Sequence, residues 1–137
     1  MKTFLTTIQK TLNHHLKEVR YISRNYGQLS IEQTPVQFPC VLIDIDRVEY
    51  ESISHCGQTA TAEVSFLVAD STLEPVQGMH LQTIDIIEHL HQVLQGLSGT
   101  TFQPLNRISL TRTIAEKGID AYTITYSTAW IEKKAEN

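Results

Sequence analysis

The chain has 137 residues, of which 41% are hydrophobic and 19% charged, with a formal net charge of -4. That size and balance fit a single globular domain, one that buries roughly 68% of its extended surface without staples. The absence of a basic stretch excludes a dedicated nucleic-acid face, and no apolar run approaches the ~20 residues of a membrane span.

The chain opens on an amphipathic pattern. Leu5, Ile8, Leu12, Leu16 and Val19 recur at three- and four-residue spacing with polar residues between them. The spacing predicts a helix that decays near Ser23–Gly27, where Asn25 and Gly27 are stop signals. The start is too broken by Thr3, Thr6, Thr7, Gln9 and Lys10 to read as a signal peptide. "EQTPVQFPC", with Pro35 and Pro39, reads as an extended connector.

"CVLIDID" alternates from Val41, with Val41, Ile43 and Ile45 on one face and Leu42, Asp44 and Asp46 on the other. This predicts a strand. "VEYESIS" continues it with Val48 and Tyr50 and slips phase at Ile53, where a bulge or turn is expected. After a turn at Gly57, "ATAEVSFLVA" alternates strictly, with Ala60, Ala62, Val64, Phe66 and Val68 facing in. A loop around Pro75 and Gly78 leads to a second helix over 81–97, which ends in "GLSGT". "RISLTRTI" and "AYTITYSTAWI", joined by a turn at Gly118, form a closing hairpin rich in β-branched and aromatic residues. The expected fold is α+β: a mostly antiparallel sheet of four to five strands in the order α-β-β-β-α-β-β. Both helices pack on one face of that sheet.

"IIEHLHQVLQG" places Glu88, His89 and His91 within four residues. At about 100° per residue, His89 projects about 200° from Ile87, at the centre of the apolar stripe, while His91 lies near the stripe's edge. The two rings therefore point apart and do not chelate one ion together. Glu88 and His91 share a flank, but the Glu-x-x-His spacing of di-iron bundles occurs once, not twice. HExxH is absent, and His14–His15 has no third ligand in view. No metal and no cofactor are expected.

Asp44 and Asp46 share one face of their strand, with Glu63 across the sheet, an arrangement that holds Mg²⁺ in some hydrolases. The lysine such sites use two residues after the acid is replaced by Ser65. Cys40 and Cys56 lie outside any C-x-x-C pattern, and no G-x-S-x-G or glycine-rich phosphate loop occurs. The thiols read as reduced, as in a cytosolic protein. Catalytic residues are therefore not assigned.

The outward positions of the strands say more. Thr61, Glu63 and Ser65; Arg107, Ser109, Thr111 and Thr113; and Ala121, Thr123, Thr125, Ser127 and Ala129 are mostly small or hydroxylated. Exposed sheet faces ordinarily carry lysines and glutamates that discourage sticking. A flat, low-charge face suits packing against another subunit, although threonine also favours strands for its own sake. Thr61, Ser65, Ser109, Thr111, Thr113, Thr123, Thr125 and Ser127 are the candidate interface residues.

The opening helix "FLTTIQKTLNHHLKEV", the proline-led strand "FPCVLIDID", the strand "TATAEVSFLVA", the helix "LQTIDIIEHLHQVLQGL" and the hairpin "NRISLTRTIAEKGIDAYTITYSTAWI" follow one another across nearly the whole chain. In element order and length this resembles the tail terminator, or tail completion, proteins of long-tailed phages. The resemblance implies a non-enzymatic subunit that closes into a ring, commonly six-fold. Such a ring caps the tail tube, stops its polymerisation and docks to the head–tail connector, with DNA passing the lumen without specific binding. It implies assembly in the host cytoplasm and residence in the virion tail. Thr72, Glu74 and Pro75, with Glu116, Lys117 and Gly118 at the hairpin tip, are the candidate axial contacts. Two rivals remain open at this point. One is a regulatory domain with a small-molecule pocket between helices and sheet; the other is a hydrolase using Asp44, Asp46 and a metal.

Overall fold

The computed structural model describes residues 1–32, 35–71, 81–99, 101–114 and 118–133. Helix α1 (Lys2–His15) leads into the short strand β1 (Tyr21–Arg24) and a 3-10 turn at Gln28–Ser30. Strands β2 (Cys40–Ser54) and β3 (Gly57–Ser71) form a long hairpin. Helix α2 (Gln82–Leu94) follows, and then the hairpin of β4 (Asn106–Ile114) and β5 (Ile119–Lys133). The five strands make one sheet in the order β1-β2-β3-β5-β4. Only β1 runs parallel to its neighbour; the other pairs are antiparallel. The α+β class and the two helices on one face are as the sequence predicts, and the element order matches roughly: the strand Tyr21–Arg24 stands where the helix is expected to continue, and "CVLIDID" with "VEYESIS" makes a single strand.

The core follows from period two in the strands and period 3.6 in the helices. Even-numbered residues of β3 (Ala60, Ala62, Val64, Phe66 and Val68) and of β5 (Ile124, Tyr126 and Trp130) are buried in one cluster. Phe4, Ile8, Leu12 and Leu16 from α1 and Ile86, Ile87, Leu90 and Leu94 from α2 close over them. Burying one such side chain contributes roughly 1.5–3 kcal/mol, so this layer dominates stability. At one end Phe4 stacks on Trp130 and meets Phe102 edge-on, with ring centroids 5.3 and 5.0 Å away. A Cβ on Gly99 would come within 2.8 Å of the Phe102 ring, so the loop after α2 needs a glycine there.

Three expectations are corrected. Helix α1 stops at His15 instead of decaying near Ser23–Gly27. Leu16 and Val19 keep the helical spacing and are buried, but they lie in the turn that follows. Residues Tyr21–Arg24 are claimed by pairing with Cys40–Ile43, and Asn25 N–H donates to the Ile43 carbonyl at 2.9 Å. Second, the strand that runs from "CVLIDID" into "VEYESIS" slips phase near Ile53 as expected, but also between Ile45 and Arg47, where nothing in the sequence signals it. Third, Arg107 is not on the outward face. A bulge at Ile108 turns Arg107 opposite Tyr126, on the helix side, while Ser109 onward keeps the expected phase.

Candidate subunit interface

The face of the sheet turned away from the helices has two unlike halves. Near β1, Tyr21, Cys40, Leu42, Leu67, Ala69 and Ala121 form a second, smaller cluster covered by Leu29, Val36 and Phe38 of the connector. That connector is pinned by Gln28, which is fully buried. Its side chain donates to the Arg24 carbonyl at 2.8 Å and accepts from Tyr26 N–H at 2.8 Å. Helices on one face alone would leave this face open throughout, but the chain folds back over this end because Leu42, Leu67 and Ala69 are too apolar to leave wet.

Among the described residues no segment packs over the rest of the face. The pairings Ser65↔Thr125, Thr61↔Ala129, Glu63↔Ser127, Ser109↔Thr125, Thr111↔Thr123 and Thr113↔Ala121 put all eight expected interface residues on one side. Thr61, Ser109 and Thr111 are exposed; Thr113, Thr123, Thr125 and Ser127 are half-buried; Ser65 is buried, at 7% exposure. Several hydroxyls satisfy one another across strands. Thr113 and Thr123 are 3.0 Å apart, Ser65 and Thr125 3.1 Å, and Ser65 also donates to Asp46. These contacts flatten the surface. Along β4 and β5, from Asn106 to Thr113 and from Ala121 to Ile131, the outward positions carry no charge.

Charge collects on the β2 side of the same face. Asp44, Glu49, Glu51 and Glu63 share it by register, and Asp46 turns onto it at the bulge. Arg47 pairs with Glu49, and Arg24 lies 3.9 Å from Asp44. Glu63 lies across from Arg47 in register, but among the described residues neither it nor Glu51 makes an ion pair. Glu49 and Glu51 are absent from the sequence expectation; their period-two spacing within a strand is the signal that reveals them. At the far side β4 is an edge strand, and its helix-side residues Ile108 and Leu110 are 48% and 49% exposed.

Of the candidate axial contacts, Gly118 is half-buried and adopts φ 73°, a left-handed conformation that favours glycine. Thr72, Glu74, Pro75, Glu116 and Lys117 lie outside the described residues.

The histidines of α2 point apart, as their spacing predicts. His89 Nδ1 meets a Glu18 carboxylate oxygen at 2.6 Å, and His91 Nδ1 meets the Tyr126 hydroxyl at 2.9 Å. Burial, and secondarily the charge of Arg107, lowers the His91 pKa below its usual 6.5. Burial pushes the Tyr126 phenol up to about 12. Among the described residues no three His, Cys, Asp or Glu side chains gather as a metal site, Asp44, Asp46 and Glu63 included. Cys40 is buried and its thiol is pushed up to about 12, mainly by burial, which leaves it a poor nucleophile. Cys56 is exposed at the β2–β3 turn.

The interlayer between helices and sheet is filled by side chains such as Leu12, Ile86 and Leu90. An open cleft of about 570 Å³ lies elsewhere, bordered by Thr59, Phe102, Trp130, Ile131 and Lys133. No described helix is long and apolar enough to cross a membrane. Neither a protein-family model nor a curated protein matches the chain.

Proposed function

We propose that this protein is a structural subunit of a long-tailed phage or prophage. It self-associates into a ring, six-fold by the resemblance, that caps the tail tube, ends its polymerisation and docks to the head–tail connector. It assembles in the host cytoplasm and ends in the virion tail, with DNA crossing the lumen. The observation that carries the reading is the nearly uncharged hydroxyl field of β4 and β5, built from Ser109, Thr111, Thr123, Thr125 and Ser127, over which no described segment packs. A monomer that keeps such a surface in water leaves a sheet face undefended against sticking. Burying it against a neighbour explains why few charges stand there. The β4 edge strand also exposes Leu110, on the helix side of the sheet, and Ile108 at the bulge.

Light scattering across protein concentrations, with electron microscopy of purified tail tubes incubated with the protein, tests the reading. The expected result is a concentration-dependent ring and density at one tube end. A chain that stays monomeric at high concentration and leaves tubes undecorated overturns it.

A further inference from the structure

A ring needs two different patches per subunit, because head-to-tail contacts join unlike surfaces. The hydroxyl field with its carboxylate row is one; the second has to complement it. On α1 the buried stripe Phe4, Ile8 and Leu12 lies opposite Lys2, Thr6 and Lys10, and Lys17 continues that ridge past the helix end. Lys2, Lys10 and Lys17 are exposed. Among the described residues none of them has a carboxylate within ion-pair distance, and Lys17 donates only to the Asn13 carbonyl, at 3.1 Å. The exposed carboxylates of the neighbouring helix, Asp85 and Glu88, make no pair with the ridge.

On the opposite side of the molecule, Glu51 and Glu63 are equally unpaired, beside Asp46 and Glu49. Lys2 and Lys10 lie about 12 Å apart at the helical rise with Lys17 further along past the helix end, and the row from Asp44 to Glu51 spans about 23 Å at the strand rise. An unpaired lysine ridge and a carboxylate row that is only partly neutralised, by Arg24 at Asp44 and Arg47 at Glu49, lie on opposite faces; they are complementary between copies and cannot meet within one copy. Three lysines on a chain of net charge -4 make a meagre polyanion site, whereas this fold supplies its own anionic counterpart.

We infer that the lysine ridge of α1 docks on the carboxylate row of β2 and β3 in a second copy of this chain, making the subunit contact head-to-tail. The inference rests on the self-association proposed above and specifies which surfaces meet.

Two triple variants test it, with circular dichroism to check that each folds: Lys2→Glu/Lys10→Glu/Lys17→Glu, and Glu49→Lys/Glu51→Lys/Glu63→Lys. Sedimentation velocity follows each alone and the two mixed equimolar. The wild type should lose at least about tenfold in association between about 50 and 500 mM salt. Each variant alone should stay monomeric, since both its patches then carry one sign. The mixture should regain assembly, because each reversed patch meets its complement on the other variant. A variant that associates alone like the wild type, or a mixture that stays monomeric, overturns the pairing and leaves the ring reading standing. A lysine ridge that instead binds duplex DNA, while reversal of the sheet changes nothing, overturns it too. A wild type that is monomeric at every salt and concentration overturns the ring reading and this inference with it.

Discussion

On its helix side the middle of the sheet presents Ala62, Val64, Phe66, Ile124 and Tyr126, all fully buried. On the other side the same two strands present Thr61, Glu63, Thr123, Thr125 and Ser127, exposed or half-buried. The backbones are shared, so the contrast comes from side chains alone. One side spends its residues on packing; the other keeps small, mutually bonded hydroxyls that cost little to leave wet and little to bury. A side chain is tied to monomer stability on the first side and released for another use on the second.

The contrast is broken most forcefully from within. Phe66→Ala empties a site packed edge-on against Tyr126 at 5.6 Å between ring centroids. It should destabilise the monomer by about 3–5 kcal/mol in urea unfolding. A loss below about 1 kcal/mol would mean that the helix side is not the stability-determining layer.

A middle-sized effect comes from pH. The folded-state pKa of His91 lies below the usual 6.5, so the unfolded chain takes up the proton more readily. Stability is full above about pH 6.5 and declines as the pH falls from there toward the folded value. Thermal melts across that window should show the decline, and His91→Gln should flatten it. An unchanged slope in the variant assigns the acid sensitivity to other groups.

The smallest change in monomer stability is expected on the open side. Thr111→Ala and Thr123→Ala should each shift unfolding by less than about 1 kcal/mol, within the range of surface substitutions. Thr111→Lys together with Thr125→Lys should leave the fold intact and still abolish self-association in light scattering. If the double lysine variant assembles like the wild type, the hydroxyl field is ordinary solvated strand surface.

Much of this architecture is legible in the chain. Strict alternation from Ala60 to Val68 and from Tyr122 to Trp130 assigns each residue to a face, and the eight hydroxyl positions fall on one side as that pattern requires. The ends of elements are less legible. Leu16 and Val19 continue the helical spacing in sequence, and only the competing parallel pairing of Tyr21–Arg24 with β2 ends the helix before them. The bulge that moves Arg107 to the helix side leaves no local signature either, because Arg107, Ile108, Ser109, Leu110 and Thr111 alternate polar and apolar straight across it.

Periodicity by itself, then, determined the class of fold, most of the order of its elements and the two-faced character of the sheet, because side-chain direction repeats every 2 or 3.6 residues whatever lies far away; the strand Tyr21–Arg24 is the element it missed. Tertiary structure alone decided that the connector closes over one end of the outward face and that the carboxylates of β2 gather beside the hydroxyls of β5. It also set the lysines of α1 on the side away from both. Those arrangements depend on contacts between segments distant in sequence, and they are fixed by which apolar surfaces remain to be covered once the local elements have formed.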